Sequence, residues 1–253
     1  MQNETPTKEN DNQGVVISER EAEEYRAYKR RKKQNEVASA IAVSEGTLLE
    51  GADIQRVCDR AIRLGQSAVK VPLSKLEKAA TYLSGSKVKL DCVVGGTGET
   101  LAKVKAFETR LAVRRKASEI TVIVAPSLID GCRYGEIRKE LKRLRRAAGK
   151  ATLKVRVEEA ALPVLGRVAK LASELGIQYF SIPYFHGCER LRIDLMNGCR
   201  LEVSGVESTE EFKKLRAAGV GRIVTDRAWE IYSEWLLEVN SEQTQKQEEK
   251  TSV

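Results

Sequence analysis

The 253-residue sequence is poor in the features that several protein classes require. Its five cysteines form no CxxC pair and show no metal-ligand spacing, which predicts free thiols in a reducing, cytoplasmic setting and no metal site. Its longest apolar runs are far shorter than a membrane span, and its first residues contain no apolar segment typical of a secretory signal. We therefore expect neither a membrane protein nor a secreted disulfide framework.

Aromatic residues are also scarce, at 5% of the chain, whereas the formal net charge is +8. Two basic clusters, at 25–33 and 138–150, carry much of the positive charge. Binding of nucleic acid would require a contiguous basic patch with stacking aromatics or a recognised module, and the sequence offers neither. We interpret the clusters as solvated helix faces, which makes nucleic acid a disfavoured partner.

The composition divides the chain into four parts. Residues 1–17 are polar and predict a disordered arm, and residues 240–253 predict a disordered tail. Residues 18–36 predict a helical extension that begins with a capping box, because Ser18 is followed three residues later by Glu21. The apolar stripe of this helix is thin, so we expect it to dock on the barrel or to contact a protein partner. Residues 37–239 form the predicted main domain.

Short β-branched runs alternate with helical stretches through this domain. Eight such runs are recognisable, at 39–43, 67–71, 87–94, 119–124, 151–157, 179–182, 200–203 and 222–225. Regular alternation predicts parallel strands joined by helices, and eight units predict an α/β fold of the (β/α)₈ TIM barrel type with an N-terminal helical extension. The alternative is a doubly wound open sheet, but no GxGxxG follows a strand.

Strand parity places charged side chains inside the predicted barrel. In each of four strands one face is apolar, as with Val69 and Val71, and the other face is charged. The apolar face must meet the helices, so the charged face points inward. The predicted interior contains Lys70, Lys89, Asp91, Lys154, Arg156, Glu158, Arg200 and Glu202. Buried charges need partners, so these residues form either an internal salt-bridge network or a ligand pocket at the C-terminal mouth.

The sequence resembles the deoxyribose-phosphate aldolase family from about residue 46 to residue 236. The similarity is carried by four segments: GTLLEGADIQRVCDRAIRLG, KVKAFETRLAV, AAGKATLKVRVEE and VSGVESTEEFKKLRAAGVGRIVT. The resemblance implies a (β/α)₈ class I aldolase that cleaves 2-deoxyribose 5-phosphate through a lysine Schiff base. It implies no metal and no organic cofactor.

Three positions that define the family's chemistry differ in this sequence. Ser181 stands where the resemblance places the Schiff-base lysine, and a serine cannot form an imine. Glu202 stands where a second lysine is expected, which reverses the charge. Thr121 stands where the family carries its proton-relay aspartate. The resemblance therefore predicts that the family's reaction has been lost or moved to another amine.

Two lysines could supply such a relocated amine. Lys154 matches a lysine of the family's fifth strand, and Lys70 stands where many relatives carry a cysteine. Imine formation needs an amine whose pKa is lowered by burial or by a neighbouring cation. We expect Lys154 to be held instead in a salt bridge with Glu202 or Glu158.

The resemblance also suggests residues for binding a phosphate group at the mouth. Ser204 and Gly205 match the first half of the family's phosphate cradle, and Thr225 and Arg227 lie in the second half. Asp226, between them, would repel a phosphate. His186, the only histidine, lies in a predicted loop at the mouth, where it either lines the mouth or serves as an acid or base.

Two functional hypotheses follow. The first is a barrel that has lost the Schiff-base reaction and serves as a non-catalytic or re-purposed binding protein for a protein partner or a small anionic metabolite. The alternative is an active lyase that acts on deoxyribose 5-phosphate or a similar sugar phosphate through Lys154 or Lys70. Because family members often pair, the resemblance also implies a homo-oligomer.

Overall fold

The computed structural model describes residues 19–47 and 51–251, and it shows a closed barrel of eight parallel strands. Each strand pairs with the next along the chain, and β8 closes the barrel against β1. The strands are β1 (Ser44–Thr47), β2 (Ala68–Pro72), β3 (Lys89–Val94), β4 (Glu119–Ile123), β5 (Thr152–Arg156), β6 (Tyr179–Pro183), β7 (Arg200–Ser204) and β8 (Arg222–Val224). This topology confirms the predicted (β/α)₈ barrel and excludes the open sheet.

Helices connect the strands and surround the barrel. They are α1 (Glu19–Ala42), α2 (Ile54–Leu64), α3 (Leu76–Tyr82), α4 (Ala102–Arg114), α5 (Pro126–Asp130), α6 (Tyr134–Ala148), α7 (Leu162–Glu174), α8 (Thr209–Ala217) and α9 (Ala228–Thr251). After β6 the connection is a 3₁₀ turn, Cys188–Asp194, at the place where the sequence pattern predicts a weak helix. Among the described helices, none combines the length and the apolar character needed to cross a bilayer.

The apolar core lies between the strands and the helices. Val69 and Val71 of β2 and Leu201 and Val203 of β7 are buried in it, as parity predicts. The alternate residues of the same strands, Lys70 among them, are buried on the opposite face, inside the barrel. This two-sided burial excludes water from the interior, so its charged groups must satisfy one another.

The N-terminal extension is longer than predicted and replaces the predicted first strand. α1 continues to Ala42, through most of the predicted strand 39–43, and β1 begins only at Ser44. The reason is helical spacing: Val37 and Ile41, four residues apart, are both buried, which aligns them on one helix face. The proposed cap Ser18 and the arm at 1–17 lie outside the described residues.

The C-terminal boundary also differs from the predicted one. α9 continues through Thr251, so residues 240–251, predicted as a tail, are helical. α1 and α9 pack against each other, and the side chain of Gln34 donates a hydrogen bond to Asn240 Oδ1 at 3.3 Å. The extension therefore docks on the chain's own last helix, which is one of the roles the sequence predicts for it.

Gly98 provides a test of the packing between the β3–α4 and β4–α5 connections. Its φ is +98°, and a Cβ there would lie 2.6 Å from the carbonyl oxygen of Val124. Gly98→Ala should therefore lower the free energy of unfolding by about 1–3 kcal/mol in chemical denaturation. Gly135→Ala is the matched control, because Gly135 lies in α6 with open space around its Cα; it should be neutral or stabilising. Equal losses in both variants would contradict this account.

Candidate functional site inside the barrel

The centre of the barrel is occupied by the ammonium group of Lys154. This side chain projects from β5 and is completely buried. Its Nζ lies 2.8 Å from a carboxylate oxygen of Glu119, 2.8 Å from one of Glu202 and 3.1 Å from one of Asp91, and it donates a hydrogen bond to Glu45. Four strands thus direct a carboxyl group at one lysine. The prediction that Lys154 pairs with Glu202 is confirmed; Glu158 instead pairs with Arg156.

Lys70 lies on the neighbouring side of the same cluster. Its Nζ donates to Glu202 Oε1 at 2.7 Å and lies 3.6 Å from Asp91 Oδ2. Ser181 donates to the same oxygen of Glu202 at 2.8 Å, and Thr121 donates to Asp91 Oδ2 at 2.7 Å. The structure thus brings together the five residues that the family resemblance connects with the chemistry: Lys70, Thr121, Lys154, Ser181 and Glu202.

Sequence reasoning missed the other half of the cluster. Arg222 contacts Glu45 and Glu119 at 3.3 Å and donates to the hydroxyl of Tyr179 at 3.3 Å. Glu45 was missed because the predicted first strand ended before it. Glu119, Tyr179 and Arg222 are the first residues of their strands. The parity rule applied to 119–124 and 222–225 would have placed Glu119 and Arg222 inside.

The cluster has one more carboxyl group than it has buried cations. Glu45, Asp91, Glu119 and Glu202 face three buried cations: Lys70, Lys154 and Arg222. Burial raises the pKa of Glu45 well above its ordinary value and outweighs the opposing charges of Lys154 and Lys70. Glu45 Oε1 and Asp91 Oδ1 are also both buried without a hydrogen-bond partner in the described structure. The direction of this shift favours a proton on Glu45, in contrast to Asp91 and Glu202, whose pKa values are lowered.

Lys154 and Glu202 are held in their charged forms. Burial acts to lower the pKa of Lys154, but Asp91, Glu202, Glu45 and Glu119 together raise it well above its ordinary value. Burial acts to raise the pKa of Glu202, but the charges of Lys154 and Lys70 hold it well below its ordinary value. Lys154 is thus a fixed ammonium and a poor nucleophile.

The same ammonium occupies the position that could otherwise hold a metal ion. Glu45, Asp91 and Glu119 each offer a carboxylate oxygen, and these oxygens lie within 4.8 Å of one another. Hard divalent cations favour such an oxygen set. Lys154 Nζ contacts all three residues, so the lysine supplies the positive charge that a metal would bring.

The predicted mouth residues are only partly assembled. Arg156 donates to Ser204 Oγ at 2.6 Å and pairs with Glu158. Gly205 follows with a φ of +74°, and the hydroxyl of Thr225 donates to the carbonyl of Val206. Arg227 is exposed, and its backbone N–H donates to Thr225 Oγ1. His186 is exposed in the loop after β6 and is not part of the central cluster.

Known proteins with similar sequences share one name. The chain is 35% identical to the deoxyribose-phosphate aldolase of Clostridioides difficile over 107 residues, which span 42% of this chain and about half, 48%, of that relative. It is 29% identical to the deoxyribose-phosphate aldolase of Bdellovibrio bacteriovorus over 188 residues, covering 69% of this chain and 84% of the relative. A comparison with family models gave no match.

Solved structures agree on the fold. A candidate deoxyribose-phosphate aldolase from Coccidioides immitis superposes with a TM-score of 0.73 at 21% identity, over 83% of this chain and 96% of that one. The tetrameric deoxyribose phosphate aldolase of Aeropyrum pernix superposes with a TM-score of 0.69 at 17% identity, over 83% and 97%.

The fold and the site therefore define a (β/α)₈ barrel whose interior is lined with lysines and carboxyl groups. The chain is similar to deoxyribose-phosphate aldolases in sequence, and it shares their barrel fold. Because its relatives are named as aldolases, the comparisons favour the aldolase hypothesis over the hypothesis that the reaction has been lost. The match to the first relative covers half of that protein, so the activity itself is a matter for proposal.

Lys154 should be the most important single charge for stability. Lys154→Met leaves four buried carboxyl groups without their shared cation, and breaking a buried ion pair costs about 3–5 kcal/mol. Urea unfolding followed by circular dichroism measures this loss. Lys89→Met is the matched control: Lys89 pairs with Glu119 but is 54% exposed, so its loss should cost less than about 1 kcal/mol. A small, equal loss in both variants would show that the central cluster is not critical.

The protein should lose stability in acid. The pKa values of Asp91 and Glu202 are lowered by folding, so both stabilise the fold above their ordinary values of 3.8 and 4.5 and lose that contribution as the pH falls. The raised pKa of Glu45 acts in the opposite sense, and its contribution is lost as the pH rises. We expect the free energy of unfolding to decrease from pH 5 to pH 3. Glu202→Gln should reduce this slope, and an unchanged slope would contradict the assignment.

Proposed function

We propose that the protein is a carbon–carbon lyase of the aldolase type, that its substrate is deoxyribose 5-phosphate or a similar sugar phosphate, and that its imine-forming amine is Lys70. The observation that carries this proposal is the shared hydrogen bonding of Lys70 and Ser181. Both donate to Glu202 Oε1, at 2.7 and 2.8 Å. The nitrogen of Lys70 therefore lies beside the two positions at which the family's lysines are expected.

Geometry favours Lys70 over Lys154 for this role. Lys154 contacts four carboxyl groups and its side chain is 0% exposed, so neither its proton nor its position is available. The side chain of Lys70 is 7% exposed; its Nζ makes one hydrogen bond, to Glu202, and lies 3.6 Å from Asp91 and 4.0 Å from Glu45.

The first chemical step follows from these contacts. Lys70, whose side chain is 7% exposed, releases a proton to solvent, and the neutral amine attacks the aldehyde carbon of the open-chain sugar. The carbinolamine then takes up a proton as its hydroxyl leaves as water, and an iminium remains on Lys70. The iminium accepts the electron pair of the C2–C3 bond as that bond breaks, and the C3 hydroxyl proton leaves to a carboxylate of the cluster.

The sugar's phosphate group would lie at the C-terminal mouth. Arg156 and Ser204 are joined there by a 2.6 Å hydrogen bond, and Gly205 follows β7. Arg227 adds an exposed positive charge near the end of β8. A tetrameric relative supports the further proposal that this chain forms a homo-oligomer.

A second candidate function is a non-catalytic binding protein, for a protein partner at α1 or for a small anion. The observation that favours it is the closure of the interior: Thr121, Ser181 and Glu202 are each 0% exposed. Such a barrel would use its charged cluster for stability only. Covalent trapping separates the two candidates.

Borohydride reduction tests the aldolase proposal. The protein is incubated with deoxyribose 5-phosphate and sodium borohydride, and peptide mass spectrometry locates the reduced adduct. We expect it on Lys70, because this amine lies beside Ser181 and Glu202, the positions at which the family's lysines are expected. Lys70→Arg keeps the charge and should abolish the adduct. A modification that is confined to exposed lysines such as Lys103, or that persists in Lys70→Arg, would favour the binding protein.

A further inference from the structure

A second charged cavity lies at the opposite end of the barrel from the mouth. It has a volume of about 280 Å³ and is lined by the first residues of six successive strands: Lys89, Glu119, Thr152, Tyr179, Arg200 and Arg222. Ala42, the last residue of α1, forms part of its wall. Neither the proposed lyase reaction nor its phosphate cradle uses this cavity.

The lining of this N-terminal cavity has an excess of positive charge. Lys89, Arg200 and Arg222 contribute three positive charges, and Glu119 contributes one negative charge, which leaves two positive charges in excess. Glu119 is already paired with Lys89, Lys154 and Arg222. Within the described part of the chain, Arg200 forms no ion pair. The cavity is therefore complementary to a dianion.

The donors of the cavity are held in place by their neighbours. The guanidinium of Arg200 lies 4.6 Å from the ring centroid of Tyr179, and that of Arg222 lies 5.1 Å from the same centroid. A Cβ on Gly221 would lie 2.7 Å from Cβ of Arg200, so the glycine leaves room for the arginine side chain. Gln178 accepts a hydrogen bond from the backbone N–H of Leu153 through Oε1, which leaves its NH₂ group as a further donor.

We propose that this N-terminal cavity binds a phosphate dianion, either free or as a monoester. Arginine and lysine together are the residues that bind phosphate oxygens most strongly, through charge-assisted hydrogen bonds. The volume lies just below the range of pockets that hold drug-sized ligands, so the site suits a small anion. The end of α1 forms part of the wall, which gives the N-terminal extension a role in building the site.

Isothermal titration calorimetry tests this proposal on the full-length protein. Inorganic phosphate and glycerol 3-phosphate are titrated separately, with acetate as the monoanionic control. Tighter binding of either phosphate compound than of acetate is expected, and the comparison of the two shows whether the free anion or the monoester is preferred. Equal binding of acetate, or no binding of either phosphate, would overturn the proposal.

Variants show which end of the barrel binds the phosphate. Arg200 and Lys89 are exposed side chains, so Arg200→Gln and Lys89→Gln should fold, as circular dichroism would verify. Each should weaken phosphate binding at this site about tenfold or more. Lys103→Gln, which removes an exposed positive charge that lines neither site, is the matched control and should leave this binding unchanged. Arg227→Gln reports on the phosphate site proposed at the mouth. Binding that depends on Arg227 and is indifferent to Arg200 would overturn the proposal and assign the phosphate to the mouth.

Discussion

The barrel depends on the contact between the Lys154 ammonium and the carboxyl groups that surround it. Strands β1, β3, β4 and β7 each place one carboxyl group against this nitrogen. A single missing partner would leave an uncompensated charge in an interior without water, which is far more costly than the loss of a surface ion pair. The register of four strands is therefore linked through one side chain, in addition to the backbone hydrogen bonds that join neighbouring strands.

This cluster also limits the chemistry that the interior can perform. A lysine that forms an imine must release its proton, whereas a lysine that holds a barrel together must keep it. Lys154 satisfies the second requirement, and its raised pKa removes it from the first. Lys70 and Lys154 both contact Glu202. Lys70 is held less firmly, because it makes one hydrogen bond to a carboxylate whereas Lys154 contacts several. The two lysines can therefore have different roles within 3 Å of the same carboxylate group.

The sequence alone was sufficient for the architecture and for part of the interior. Alternating β-branched runs predicted seven of the eight strands to within two residues at each end, and parity correctly placed Lys70, Asp91, Lys154 and Glu202 inside. Lys89, Glu158 and Arg200, also predicted inside, are exposed because they lie at or just beyond the strand ends. It failed where local pattern competes with packing. The run at 39–43 contains enough β-branched residues to suggest a strand, but the burial of Val37 and Ile41 on one face makes it helical as far as Ala42. That error removed Glu45 from the predicted interior; Glu119 was missed separately, so only two of the four carboxyl groups were predicted.

The positive charge of the chain has more than one structural use. Part of it neutralises the central carboxyl groups, where it is fully buried, and part of it lies at the N-terminal end of the barrel, where Lys89 and Arg200 are exposed. Charges of the first kind are fixed by their partners and cannot attract a ligand. At the N-terminal end, Arg200 is available to an external anion because Glu119, the one carboxylate among the described residues that line the cavity, is already shared by two lysines and Arg222. Because Glu119 is engaged with the central cluster, the adjoining N-terminal cavity keeps its net positive charge.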